Sequence, residues 1–192
     1  MTDLELTAKN MLSPYRYEHS MNVAECAKEL ARLYGANEDD AVAAAVLHDI
    51  MKDKSGEEQL EQLKKSAVTL TAEDLNSPKV WHAHAGAAFV RDELGVGSTD
   101  IYNAVRYHTT GRAGMSLLEK VIYVADYISA DRTYNGVSHM RSLAQKSLED
   151  AMLFALEFSI TQLAAQNRVI HPDSLACYNE LIIARGKNGG TQ

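Results

Sequence analysis

The segment AAAVLHDIMKD, from Ala43 to Asp53, ends an apolar run in His48 and Asp49, with Lys52 and Asp53 close behind. An ionised carboxylate held in such a run costs several kcal/mol unless a partner compensates it. Candidate partners recur along the chain: His19, His82, His84, His108 and a second isolated acid, Asp126, within the apolar segment SLLEKVIYVADYIS. Imidazole and carboxylate together suit a divalent iron, manganese, cobalt or zinc ion. They also supply general acids and bases near neutral pH.

These groups can meet only if the elements that carry them turn them inward, and the apolar periodicity is helical. From about Arg16 to Tyr34, a stripe of Val23, Cys26, Leu30 and Leu33 continues back four residues to His19. After Pro78, the stripe Ala85, Gly86, Phe89 and Val90 has His82 at its start, whereas His84 continues to Ala88 and Arg91 on a wetter face. Ile101, Ala104 and Val105 lead to His108, and Leu118, Ile122 and Ala125 bracket Asp126. Two arrangements satisfy these residues. Either a shared cation offsets the burial of Asp49 and Asp126, or the histidines bond separately to backbone carbonyls while the two acids pair with Arg16 or Lys52.

Helix start and stop signals run throughout. Asn37 precedes an acidic first turn of Glu38, Asp39 and Asp40, which suits the helix dipole. Ser55 with Glu58, Thr71 with Asp74, Ser116 with Glu119 and Ser147 with Asp150 read as capping boxes or their relatives. Ser77 is expected to cap a helix with Pro78 at its first position, and His171-Pro172 to open the last helix. Gly35 and Gly95 are placed as helix stops. Period-two alternation is nearly absent. The expectation is an all-α fold of roughly eight helices, one domain over residues 1–186, with residues 187–192 as a flexible tail.

With 192 residues and 46% hydrophobic content, the chain can bury a substantial core. A net charge of -7 provides no basic field for DNA, RNA or an anionic membrane, so an anionic substrate needs a local positive site such as a metal. Cys26 and Cys177 form no CxxC pair and read as small buried hydrophobes. The N-terminus has neither the basic nor the apolar region of a signal peptide, and no apolar run is of bilayer length; the expected location is the cytoplasm.

An inward His19, the His48-Asp49 pair and a distant Asp126 resemble the HD-domain phosphohydrolases. The stretches YRYEHSMNVA, VLHDIMKD, WHAHAGAAFV, RYHTTGRAGMSLLEKVIYVADYIS and HPDSLACYNELI, in order from about Arg16 to Ile182, resemble the YqeK family within them. The resemblance implies an HD-domain helical bundle with extra C-terminal helices. It implies a symmetrical diadenosine tetraphosphate hydrolase that releases two ADP and carries iron, as one or two ions, with manganese or cobalt as substitutes. It assigns His19, His48, Asp49 and Asp126 to one metal. His82 matches the histidine of the family's H-x-P-x-G-A element, with His84 in its proline position, and His108 matches that of RYHTTG. His82 and His108 are then ligands of a second metal or contacts to polyphosphate. Where the family commonly has glutamate and proline before an arginine, this chain has Ser129-Ala130-Asp131 before Arg132.

A divalent ion can acidify water and polarise a phosphoryl oxygen, and His82 and His108 can hydrogen-bond a phosphoryl group as charge shifts to the leaving ADP. The resemblance suggests that Lys52 contacts phosphate and Asp53 orients water or the lysine; both also fit a solvated helix end. Arg16 and Arg132 are bidentate candidates for phosphate, and His171, near Arg168, either closes the far side of the nucleotide pocket or caps a helix. The pocket is expected to grip one ADP moiety and leave the other near solvent. The expected partners are a dinucleoside polyphosphate or nucleoside diphosphate, and the chain is compatible with a homodimer. The alternatives are another HD reaction on a deoxynucleoside triphosphate or nucleoside monophosphate, and a nucleotide-binding regulator without turnover. Helical phase makes one prediction: His82→Ala lowers the rate constant of hydrolysis far more than His84→Ala, as steady-state kinetics on the two variants will show.

Overall fold

The computed structural model describes residues 2–189, with side chains for residues 2–187. Among them are eleven α-helices, one 3-10 turn and no strand. In chain order they are α1 (Asp3–Met11), α2 (Pro14–Tyr34), α3 (Glu38–Leu47), α4 (Gly56–Lys65), α5 (Ala72–Leu75), α6 (Trp81–Asp92), α7 (Thr99–Tyr107), α8 (Leu117–Ile128), α9 (Val137–Ala144), α10 (Leu148–Ala165) and α11 (Pro172–Gly189). The excess over the expected eight lies in short pieces such as the four-residue α5, closed by its own Thr71–Asp74 capping box. The boxes at Ser55 and Ser116 are present in full, and Asn37 and Ser147 each accept one backbone N–H. Ser77 departs from expectation. Its side chain makes no cap bond, and Pro78–Val80 form a 3-10 turn that runs straight into α6. At the C-terminus the helix continues through residues 187–189 of the expected tail, and residues 190–192 lie outside the described part.

Alanine sets the packing of the site-bearing helices. On α2 the buried face is Val23, Ala24, Ala27, Leu30 and Ala31, while Leu33 is 50% exposed. The buried face is thus rotated slightly from the stripe that large side chains alone suggested. It meets Ala41, Ala44, Ala45, Val46 and Leu47 of α3, and small residues on both sides let the two helices lie close. Helix α8 runs through the middle, with Leu118, Val121, Ile122, Tyr123, Val124 and Ala125 buried against α2, α3, α7 and α10. Each fully buried Leu or Ile contributes about 2 kcal/mol of hydrophobic stabilisation. Burial pushes the Cys26 thiol up to about 12 and the Cys177 thiol up to about 11, so both remain protonated hydrophobes at neutral pH. No helix among the described residues is long and apolar enough to cross a membrane.

The connection from α7 to α8 carries the RYHTTG motif, and Gly111 in it adopts the left-handed conformation at φ +64°. A Cβ built there would stand 3.0 Å from Cys177 Sγ on α11. Gly111→Ala therefore combines an unfavourable backbone region with overlap against α11. The expected loss is about 2 kcal/mol of unfolding free energy, measurable by denaturant titration.

Candidate active site

His48 follows the last residue of α3 and is completely buried. Its Nδ1 lies 2.7 Å from the Ala45 carbonyl. A carbonyl only accepts, so Nδ1 carries the proton; burial pushes the pKa down to about 4, so the ring is neutral and Nε2 presents a lone pair. That Nε2 is buried with no hydrogen-bond partner among the described residues. It faces two carboxylates, 3.6 Å from Asp49 Oδ2 and 3.9 Å from Asp126 Oδ1. His108, at the end of α7, repeats the device, its Nδ1 donating over 2.7 Å to the Val105 carbonyl.

The remaining groups converge from other helices. His19 on α2 places Nε2 3.1 Å from Asp126 Oδ1. His82, in the first turn of α6, places Nε2 3.2 Å from both Asp49 Oδ1 and His108 Nε2. His108 Nε2 is 3.5 Å from Asp49 Oδ1. The ligand atoms fall into two sets that share His48, one with His19 and Asp126 and the other with Asp49 and His108; within each set they lie within 4.8 Å of one another. A neutral His48 whose unpartnered nitrogen faces two carboxylates fits a divalent cation, and both sets have the donor types such an ion takes.

Electrostatics keep the acids ionised. Burial opposes charge on Asp49, but His48, His108 and His82 hold its carboxyl well below the usual range. Burial likewise opposes charge on Asp126, while the His19 hydrogen bond, His48 and Arg132 hold it low. Arg16 Nη1 donates to Asp49 Oδ2 at 2.8 Å, and Arg132 donates to Asp126 through both its side-chain carboxylate and its backbone carbonyl. The two arrangements read from the sequence coexist: the cluster converges, and arginines pair with its acids. Lys52 stands in the turn after α3, its Nζ 3.1 Å from His82 Nε2, and burial lowers its pKa.

Two residues lie away from this centre. Asp53 accepts the Ser13 N–H at 2.8 Å and sits 3.9 Å from Arg16 Nε, at the start of α2. His171 opens α11 with Nε2 2.9 Å from Asp74 Oδ1. The same oxygen meets His84 Nε2 at 2.7 Å, and Asp74 Oδ2 accepts the Thr71 N–H and hydroxyl. His84 is therefore buried, contrary to the wetter face expected for it. Helix α6 is covered on nearly every side, and the Asp74 carboxylate gives the second imidazole a buried partner. The knot of Asp74, His84 and His171 ties α5, α6 and α11 together, and its His171 lines a cavity of about 610 Å³. That cavity also reaches Lys52, His108, Asp126 and Arg132.

Sequence reasoning missed Asp131. Its Oδ2 lies 2.7 Å from His19 Nδ1, so His19 donates there and turns Nε2 toward the centre. The loop that departs from the family pattern supplies this carboxylate, and that departure was the available signal. Arg141 of α9 holds the loop through the carbonyls of Ile128, Ser129 and Arg132 at 2.9, 2.7 and 3.1 Å. Carboxylates that orient ligating histidines commonly affect metal affinity by ~10–100-fold. Asp131→Ala is accordingly expected to weaken metal binding by at least about tenfold, read by titration of the metal-free protein.

The HD domain model matches residues 16–131, a span that takes in His19, His48, Asp49, His82, His108 and Asp126. The symmetrical bis(5'-nucleosyl)-tetraphosphatase of Halalkalibacterium halodurans is 40% identical over 177 residues, covering 91% of this chain and 93% of that protein. The protein of the same name from Bacillus subtilis is 40% identical over 174 residues, with the same coverage. A crystal structure described as a predicted HD superfamily hydrolase involved in NAD metabolism, from Clostridium acetobutylicum, superposes with a TM-score of 0.91. It is 32% identical, covering 94% of this chain and 96% of that one. By the motif, the matched span and these relatives, the chain belongs to the HD-domain family, in the branch that holds the symmetrical tetraphosphatases.

Proposed function

We propose that the protein hydrolyses diadenosine tetraphosphate symmetrically into two ADP, at a centre that holds one or two iron ions, with manganese or cobalt as substitutes, in the cytoplasm. One observation carries the reading: the carboxylates of Asp49 and Asp126 and the imidazoles of His19, His48, His82 and His108 meet at one end of an open cavity lined by Lys52 and Arg132. The full-length likeness to tetraphosphatases selects the substrate among those an HD centre could attack. His19, His48, Asp49 and Asp126 would hold the first ion, and His82 and His108 either complete a second site or contact phosphate. A bound divalent ion supplies Lewis acidity toward water and phosphoryl oxygen.

The chain's own groups do the rest. Arg16 and Arg132 hold Asp49 and Asp126 in place, Asp53 backs Arg16, and Asp131 fixes His19. Lys52 and Arg132 bring positive charge to the phosphate chain, while His171 lines the cavity's far wall. The oxygen of one water bonds to the second phosphorus, the bond from that phosphorus to the central bridging oxygen breaks, and the bridging oxygen leaves on the other ADP. Lys52, whose Nζ lies 3.1 Å from His82 Nε2 and which lines the cavity, would stabilise the charge that builds on this oxygen.

Chromatography of products from a panel of dinucleoside polyphosphates and nucleotides, paired with elemental analysis, tests the reading. ADP as the sole product from diadenosine tetraphosphate is expected. Inorganic triphosphate or phosphate from mononucleotides would replace it with another HD reaction, and tight binding without turnover would replace it with a regulator. Lys52→Ala is expected to lower kcat about 100-fold while metal content stays near that of the unsubstituted protein.

A further inference from the structure

The threonines of RYHTTG have no part in the centre described above, although they directly follow His108. Both line the large cavity, and both hydroxyl oxygens are buried without a hydrogen-bond partner among the described residues. Thr110 is only 3% exposed. Buried hydroxyls normally find partners, because a desolvated unpaired one is costly. The backbone there is held firmly: the Thr110 carbonyl accepts the Ser174 hydroxyl at 2.9 Å, and the Gly111 N–H donates to the Tyr107 carbonyl at 2.8 Å. The same cavity wall carries Lys79 and Arg168, two cations that contact nothing in the His/Asp centre.

We propose that Thr109 and Thr110, flanked by Lys79 and Arg168, form a subsite for the departing nucleoside diphosphate. The two hydroxyls donate to its phosphate oxygens, and the cations balance its charge. This rests on the nucleotide reading above and deepens it. A hydroxyl pair fixed one and two residues beyond His108 sets how far the phosphate chain runs past the attacked phosphorus. It thereby determines which anhydride bond lies at the centre. Valine keeps the shape and β-branching of threonine and removes only the hydroxyl, so a role confined to turn packing would survive the change.

The test uses the metal-loaded protein and its Thr109→Val, Thr110→Val, double and Lys79→Ala variants. ADP titration by calorimetry should show binding weakened about tenfold in each single threonine variant and about 100-fold in the double variant, with metal content unchanged, since each hydrogen bond to a charged group is worth about tenfold. With diadenosine tetraphosphate, KM should rise and AMP plus ATP should appear beside ADP as the bond register loosens. ADP affinity within about twofold of the unsubstituted protein overturns the subsite, and ADP as the only product of the double variant removes its control of register. Should the double variant fail to fold, Thr109→Val and the exposed Lys79→Ala decide by the same titration. If the unsubstituted protein binds ADP but does not cleave the dinucleotide, the proposed reaction falls while the titrations still judge the subsite. No ADP binding at all overturns the subsite.

Discussion

Two carboxylates taken out of water at one place are the constraint around which this molecule is arranged. Asp49 stands in the turn after α3 and Asp126 on α8, yet both lie within 4 Å of the same imidazole nitrogen, His48 Nε2. Left alone they would repel each other and bear the desolvation of buried ions, a penalty of several kcal/mol each. Neutral His48 and His82 do little to offset that unless a cation joins them. Arg16 and Arg132 supply part of the compensation, and Arg132 also reaches His19 Nε2 at 3.3 Å. The inner face remains lined with lone pairs. A polar core of this kind persists only where rigid neighbours hold it, and the alanine-rich contact of α2 with α3 provides that rigidity close to His19 and His48.

Much of this was legible in the chain. Helical phase turned His19, His48, His82, His108 and Asp126 inward from apolar neighbours three and four residues away, and those side chains do meet. Capping signals at Thr71, Ser55 and Ser116 marked real helix starts because their mechanism is local. What phase could not reveal was how thoroughly a helix is covered. His84 lies on the side of α6 opposite the main stripe, and its burial depends on α5 and on the start of α11, elements distant along the chain. Asp131 was hidden for the same reason. An acid in a loop gives no periodic signal, and its value lies in a partner 112 residues away. Asp53, adjacent in sequence to the centre, is directed by the turn after α3 toward Ser13 and Arg16.

The two aspartate–histidine assemblies differ instructively. Around Asp74, both carboxylate oxygens are consumed by protein donors, which makes a closed knot that fastens three helices. Around Asp49 and Asp126, Arg16 and Arg132 donate while the unpartnered His48 Nε2 faces both acids. The same residue types therefore build a structural fastening in one place and, in another, a cluster whose donor types suit a divalent cation. What separates them is how fully protein donors occupy the acid. His84 gives its Nδ1 proton to the Val80 carbonyl and faces Asp74 with a lone pair, as His48 faces Asp49. The His171 Nε2–H and the Thr71 donors, however, saturate both Asp74 oxygens, whereas Asp49 Oδ1 meets only imidazole nitrogens.

The bond from His48 Nδ1 to the carbonyl three residues before it, mirrored by His108 and Val105, ties ligand chemistry to the state of two helix ends. No neighbouring side chain selects the tautomer; the backbone of the last turn does. Fraying of either terminus would free its ring to rotate and expose the wrong nitrogen. The lone pairs these two rings would offer an ion are therefore only as well fixed as the helix ends behind them.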